Sequence, residues 1–235
     1  ATIAGANSAV GAGANAYALS INSVSGTGFI ATIDGANTAV GSYSLSNSTQ
    51  GANTAFGERT LVYNTTGAQN TAVGRSALVS NTAGTNNIAI GYRAGGSITG
   101  NSTIAIGEAA MYASPGILGT IGIGIDSLRN NSGAGNTAVG HITLAYNTTG
   151  TSNTAFGYKS LLCNTTGVSN TAVGFCALRS NTTGTSNAAL GRIALGSNTT
   201  GVNNTAVGDQ SLGGNTIGVN NTSVGYKAMT SNTVG

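Results

Sequence analysis

Charge is nearly missing from this chain. Asp, Glu, Lys and Arg make up 6% of its 235 residues, where ordinary soluble domains carry roughly 25%. The net charge of +3 is small and scattered. No basic run and no basic-aromatic patch is present, which excludes the usual nucleic-acid-binding surface. His141 is the single His, so neither a catalytic triad nor a His-based metal site can be assembled around it. The five acidic residues are too dispersed to form the paired carboxylates of a polysaccharide-cleaving enzyme. Two Cys, Cys163 and Cys176, are too few for a disulfide framework, which needs more at matched spacing, so free thiols are expected. Trp is absent and Pro115 is the sole proline. No apolar run is long enough to span a membrane as a helix, and no N-terminal segment has the form of a signal peptide. The repeat pattern begins at once and is still running at Gly235, so the chain is expected to be part of a longer protein.

Repetition is what the chain has in abundance. The phrase N-T-A-V-G, two variable residues, a small residue, Leu, two variable residues, N-T-T-G recurs almost to the end. Its Gly returns at Gly41, Gly57, Gly74, Gly91, Gly107, Gly124, Gly140, Gly157, Gly174, Gly191, Gly208 and Gly225, always 16 or 17 residues apart. Looser copies end at Gly11 and Gly26. A fixed short period means one small unit stacked many times. The 38 Gly raise the question of disorder, but disordered chains are poor in apolar residues and rich in charge. This chain is 40% apolar, with those residues at constant phases.

Each phrase column has its own chemistry. In the copy from Asn70 to Gly84, Thr71 and Val73 alternate around Ala72, the period-two signature of a strand. The Val73 position holds Val, Ile, Phe or Leu in every copy, which predicts an inward core position. The Thr71 position becomes Ile88, Ile104 and Ile121 in three successive copies and is expected to share that face. The middle column stays small at Ala39, Ala55, Ala72, Ala89, Ala105, Ala138, Ala155, Ala172, Ala189 and Ala206, with Gly122 and Ser223 as exceptions. Constant smallness predicts close packing on the second face as well, so this column is the candidate contact with another subunit. Leu78 and its equivalents are expected to form a second core position on a second short strand. N-T-T-G supplies turn chemistry, since Asn bonds its own backbone and Gly tolerates left-handed conformation.

The charged residues, Asp34 excepted, lie one, two or five positions after a repeat Gly. Those phases define solvated rims. The pattern predicts an all-β fold, a parallel β-solenoid of about fourteen coils of 15–17 residues. At ~4.8 Å per coil its length is on the order of 65 Å. Residues 1–34 are expected to form irregular coils of the same solenoid and residues 35–235 the regular array. About three apolar side chains per coil is a thin core for ordering some ~17 residues. Stacked Asn and Thr ladders and oligomerisation are the expected remedies.

These residues resemble the head repeats of trimeric autotransporter adhesins. Ser102–Gly107 (S-T-I-A-I-G) and Asn86–Gly91 (N-N-I-A-I-G) are most similar to that family's short motif. The longer phrase resembles arrays in bacteriophage tail fibres and bacterial surface proteins. The likeness covers about residues 35–235 strongly and 1–34 weakly. The period is longer than the family's usual coil, and Thr often replaces its first hydrophobe. The resemblance implies a left-handed β-roll, a homotrimeric rod and an extracellular location on a virion tail fibre or bacterial surface.

Motifs that point to other chemistry fail on context. Gly133-x-Gly135-x-x-Ala138 imitates a dinucleotide fingerprint but precedes a predicted strand instead of a helix. Calcium-binding solenoid repeats need an Asp in every copy, which is lacking. The Asn-x-Thr sequons at Asn64, Asn147 and Asn164 read as turn residues ahead of glycosylation acceptors. At Gly95–Ile98 and Ala113–Thr120 the turn phrase is lost, giving either bulged turns or a recognition loop.

The leading expectation is a non-enzymatic fibre segment, with no cofactor, no metal and no membrane insertion by this segment. It would be a rigid rod that presents a surface for host-cell or receptor attachment. Candidate recognition residues on the rim are Tyr92, Arg93, Tyr158, Lys159, Tyr226 and Lys227, since Tyr and Arg favour interfaces. The receptor would be a cell-surface glycan or protein. Two alternatives stand beside it: an ice-binding solenoid using repeated Thr, and a self-assembling extracellular filament subunit stacked through open coil edges.

Overall fold

The computed structural model describes residues 37–48, 51–116 and 118–234. The expectation for residues 1–34 therefore lies outside the described residues. Twelve three-residue strands form one sheet in strict sequence order. They are Thr38–Val40 (β1), Thr54–Phe56 (β2), Thr71–Val73 (β3), Ile88–Ile90 (β4), Ile104–Ile106 (β5), Ile121–Ile123 (β6), Thr137–Val139 (β7), Thr154–Phe156 (β8), Thr171–Val173 (β9), Ala188–Leu190 (β10), Thr205–Val207 (β11) and Thr222–Val224 (β12). Every neighbouring pair is parallel and in repeat register, as in Thr54↔Thr71, Ala55↔Ala72 and Phe56↔Val73. The molecule is a parallel β-solenoid of about eleven turns among the described residues.

One coil shows how the phrase closes. After β3 the chain bends at Gly74, whose φ is +122°. The Ala77 amide donates to the Gly74 carbonyl at 3.2 Å, and the Asn81 amide to the Leu78 carbonyl at 3.1 Å. Asn81 then braces the third corner. Its Nδ2 donates to the Gly84 carbonyl at 3.1 Å, and its Oδ1 accepts the Gly84 amide at 3.0 Å. Turns as well as strands bond to both neighbouring coils: the Ser76 amide reaches back to the Glu58 carbonyl at 2.9 Å, and the Leu78 amide forward to the Ala94 carbonyl at 3.0 Å.

Leu78 is fully buried, as are its equivalents Leu45, Leu61, Met111, Leu128, Leu144, Leu161, Leu178, Leu195 and Leu212. The second core position is therefore real, but the second strand is not. Leu78 has φ +49° and sits in a turn, like every other member of its column. A left-handed residue costs roughly 1–2 kcal/mol outside glycine. The axial hydrogen bonds and the buried Leu side chain offset that cost. Ser169, exposed at φ +57° with its amide bonded to the Thr151 carbonyl, carries the cost without burying a large side chain. Ser169→Gly keeps the amide and relieves the strain, so urea unfolding should show a gain of about 0.5–1 kcal/mol, net of glycine's greater entropy loss on folding.

The strand faces lie opposite to the sequence expectation. Ala72, Ala89, Ala105, Ala138, Ala155, Ala172 and Ala206 are 0% exposed inside their own coil, with Ala55 and Ala189 nearly so and Ala39 packed against the same core. The Ala column is core, buried within its own coil and so not exposed as the predicted subunit contact. The Val73 column, predicted to be core, points outward: Phe56 is 57% exposed and Leu190 52%. The interior admits only a small side chain in this column: Ala, Gly122 or Ser223. At β6 the middle residue is Gly122, and a Cβ there would lie 2.8 Å from Cγ of Met111, which replaces Leu one coil earlier. A longer side chain in one column thus demands a missing one in the next.

Two polar ladders complete this thin core. Asn residues preceding the strands bond coil to coil: Asn170 Nδ2 donates to Asn153 Oδ1 at 3.1 Å, and Asn187 Nδ2 to Asn170 Oδ1 at 3.1 Å. The N-T-T-G Asn residues do the same, with Asn164 Nδ2 to Asn147 Oδ1 at 2.7 Å and Asn181 Nδ2 to Asn164 Oδ1 at 2.8 Å. All of these are buried. The sequon residues Asn64, Asn147 and Asn164 are thus structural, each also bonding the Gly carbonyl three residues on.

The ladders break together in mid-rod. Thr103 and Thr120 interrupt the first, and Ile98 and Ser114 the second. The Gly95–Ile98 irregularity is a core exchange: Gly95 occupies the Leu column, and a Cβ there would meet Ile98 Cδ1 at 2.9 Å. Ile98 fills the space that the missing Leu leaves. At the second irregularity Pro115, Gly116 and Leu118 are exposed.

Candidate functional site

Two surfaces remain once the core is assigned. The first is the outer face of the sheet, where each strand contributes its first and third residues. In nine strands the third column is Val or Ile, with Phe56, Phe156 and Leu190 in the others. The first column is Thr in eight strands, Ile in three and Ala188 in one. Eleven steps of ~4.8 Å make this face about 50 Å long, and two residues of strand separate its columns by ~7 Å. An apolar stripe of that length on one face is the kind of patch that marks an interaction site.

The second surface is the rim after each repeat Gly, where side chains stack along the axis. Tyr158 lies between His141, edge-on with ring centroids 5.6 Å apart, and Phe175, stacked at 5.3 Å. Glu58 pairs with Arg75 at 3.4 Å and Arg192 with Asp209 at 3.0 Å. Arg75 lies 5.8 Å from the Tyr92 ring. The predicted rim residues form three local pairs: Arg93 over Tyr92 at 5.0 Å, Lys159 over Tyr158 at 5.0 Å and Lys227 over Tyr226 at 5.2 Å. The Tyr158 hydroxyl, through hydrogen bonding and charge, holds the Lys159 ammonium above its ordinary range. The pairs sit four coils apart, which at ~4.8 Å per coil is about 19 Å. They are three separate spots along one edge and do not converge on a single site.

The axial stacking has a chemical consequence. Tyr158 and Phe175 each lose one ring face to the other, and Lys159 lies over the Tyr158 ring. Arg93 lies close to both Tyr92 and Tyr112. These exposed pairs each contribute at most about 0.5–1 kcal/mol. The rim is therefore a solvated edge whose residues also brace adjacent coils. Sequence reasoning found the rim and missed the strand face, though one signal pointed to it. Gly122 and Met111 change together, which places the middle column inside.

Cys163 is half-buried and Cys176 buried, and both are free thiols. Among the described residues no group of three or more His, Cys, Asp or Glu stands close enough to hold a metal. Nor is any helix among them long and apolar enough to cross a membrane. Gly133-x-Gly135-x-x-Ala138 runs into β7.

Fold and surface together define a parallel β-solenoid with one long apolar face and a stacked polar-aromatic rim. Compared with known proteins, the chain matches no family model, no curated protein and no solved structure.

Proposed function

We propose that this chain is a rigid, non-enzymatic fibre segment that associates with copies of itself through its strand face and turns its rims outward for attachment. The carrying observation is the face formed by β1–β12, apolar along one full column and half-exposed or exposed throughout. With side chains it measures roughly 600 Å² per chain, so pairing two chains covers about 1,200 Å², within the range of specific interfaces. A core of one Leu or Met, small residues and Asn per coil leaves the isolated rod poorly supplied with apolar burial, and association adds what the interior lacks. The resemblance to trimeric adhesin heads and tail-fibre arrays points to a homotrimer on a virion or bacterial surface. The receptor is then a cell-surface glycan or protein met by rim pairs such as Tyr92 with Arg93.

Sedimentation equilibrium tests the association. The chain should sediment as an oligomer at micromolar concentration. Val139→Lys with Val173→Lys should shift it to monomer, with the circular dichroism retained, because both side chains stand outside the coil. A wild-type monomer that depresses the freezing point of ice overturns the proposal and favours the ice-binding alternative. The outward Thr column (Thr137, Thr154 and Thr171 among others) would then be the binding array. Phe56, Phe156 and Leu190 weigh against that alternative, since they break the flatness an ice lattice needs.

A further inference from the structure

We propose that Ile88, Ile90, Ile104, Ile106, Ile121 and Ile123 set the register in which parallel copies of this chain associate. The inference rests on the self-association proposed above and concerns what aligns the copies.

A repetitive face has a register problem. Where strand after strand reads Thr-Ala-Val, sliding one copy along another by one coil replaces Thr-x-Val with Thr-x-Val. It sacrifices only the contacts at one end. Nothing in the regular strands distinguishes the aligned pairing from its neighbours, the situation in which pairing slips. Phe56, Phe156, Ala188 and Leu190 vary isolated strands, whereas three successive strands depart together. β4, β5 and β6 carry Ile in both outward columns. Among the described residues this pattern occurs nowhere else.

The chain's own folding does not explain these residues. Ile88 and Ile90 are 38% and 39% exposed and the other four are half-buried, and Thr and Val occupy the same columns in strands of identical length and register. Their location adds a second observation. The strand-side Asn ladder is interrupted between Asn87 and Asn136, and the turn-side ladder between Asn81 and Asn131. The segment in which both Asn ladders lapse thus carries Ile in both outward columns. That segment has the most to gain from a partner.

Position in the array gives the direction. The belt occupies the fourth to sixth of twelve strands. A parallel, aligned partner lays belt on belt. A fully overlapped antiparallel partner lays it on β7–β9, whose outward residues are Thr, Val and Phe156. Setting Ile against Ile keeps the belt free of Thr hydroxyls, whereas the reversed pairing presses it on Thr137, Thr154 and Thr171 and a slip sets Ile against Thr at both ends of the belt. A second copy, parallel and unshifted, is therefore the occupant this surface fits.

Direct disulfide trapping tests the register, because Cβ atoms must approach to about 3.5–4.5 Å while one coil of slip moves them ~4.8 Å along the axis. In full-length chains with Cys163→Ser and Cys176→Ser, one population carries Thr137→Cys and the other Thr154→Cys. The two are mixed unfolded, refolded together, oxidised, and their cross-linked peptides counted by mass spectrometry. A second pair, Val139→Cys and Phe156→Cys, samples the other column. Like-with-like disulfides should exceed mixed ones by about tenfold, given the Ile–Thr mismatches that a slip creates at both ends of the belt. Replacing the belt with the repeat's own residues (I88T, I90V, I104T, I106V, I121T, I123V) should bring the ratio near the statistical value while the oligomer persists. I88T, I104T and I121T alone make a milder variant that should show a smaller drop and covers any folding defect of the full set. A statistical ratio in the wild-type belt, or a tenfold preference that survives its replacement, overturns the register role. A wild type that sediments as a monomer, with cysteine variants that form no interchain disulfide in either column, overturns the association itself.

Discussion

Gly157→Ala should destabilise the rod by on the order of 4 kcal/mol, among the largest effects expected of any single substitution. Two independent costs combine. Gly157 has φ +122°, a region essentially closed to residues with a side chain. A Cβ would also lie 2.6 Å from the Gly174 carbonyl oxygen in the next coil. The obstacle is backbone and cannot rotate away. It belongs to the same segment in which the Gly174 amide donates to the Phe156 carbonyl at 2.8 Å. Relieving the clash means parting two coils and breaking that ladder. In a stacked array each coil meets only its neighbours, so damage at one interface weakens the link between the two halves. The urea midpoint should fall by about 1–2 M. Hydrogen exchange should show the loss of protection centred on β8 and β9. An unchanged midpoint would mean that the Gly column is not needed for coil spacing.

Asn164→Asp should cost about 3 kcal/mol or more at neutral pH, although it changes one atom. Asn164 Nδ2 donates to Asn147 Oδ1 at 2.7 Å and to the Gly167 carbonyl at 3.0 Å. Its Oδ1 accepts from Asn181 Nδ2 at 2.8 Å. A carboxylate keeps the last bond but sets oxygen against oxygen in the first two, with a buried charge added. Burial and two facing acceptors favour the protonated form, so the folded-state pKa of the introduced acid lies above its unfolded value of about 3.9. The sign follows: the deficit is smallest below pH ~3.9 and grows as pH rises through the higher folded-state pKa. Urea titrations of variant and wild type at pH 4 and pH 7 read this directly. A deficit independent of pH would show that the damage is steric and unrelated to the ladder's donors.

Ser169→Gly, the Lys substitutions on the strand face and the isoleucine belt test separate columns of the same phrase. They separate because each column has one role. The repeat Gly spaces coils, Asn bonds them, Ala and Leu fill the interior, and Thr, Ile and Val stand outside.

The sequence by itself determined the period, the all-β solenoid, the parallel stacking, the buried Leu column and the position of the charged rim. Each follows from local chemistry that recurs: a Gly every 16 or 17 residues, alternation across three residues, and charges confined to a few phases. It could not say which strand face was inside. Alternation establishes that Thr71 and Val73 share a face opposite Ala72, and hydrophobicity alone favours Val as the buried one. Only the tertiary structure settles the choice. The interior between the strand and the Leu column admits a methyl group, a hydroxymethyl at Ser223, or nothing at Gly122 where Met111 intrudes. Left-handed Leu was equally illegible, since Leu has no preference for that conformation and is held there by burial of its side chain and by its amide's bond to the next coil, as from Leu78 to the Ala94 carbonyl. Axial Asn ladders were expected from the thin core, but not which Asn pairs with which: the turn residue Asn164 has its partner Asn147 17 residues away in sequence and 2.7 Å away in space.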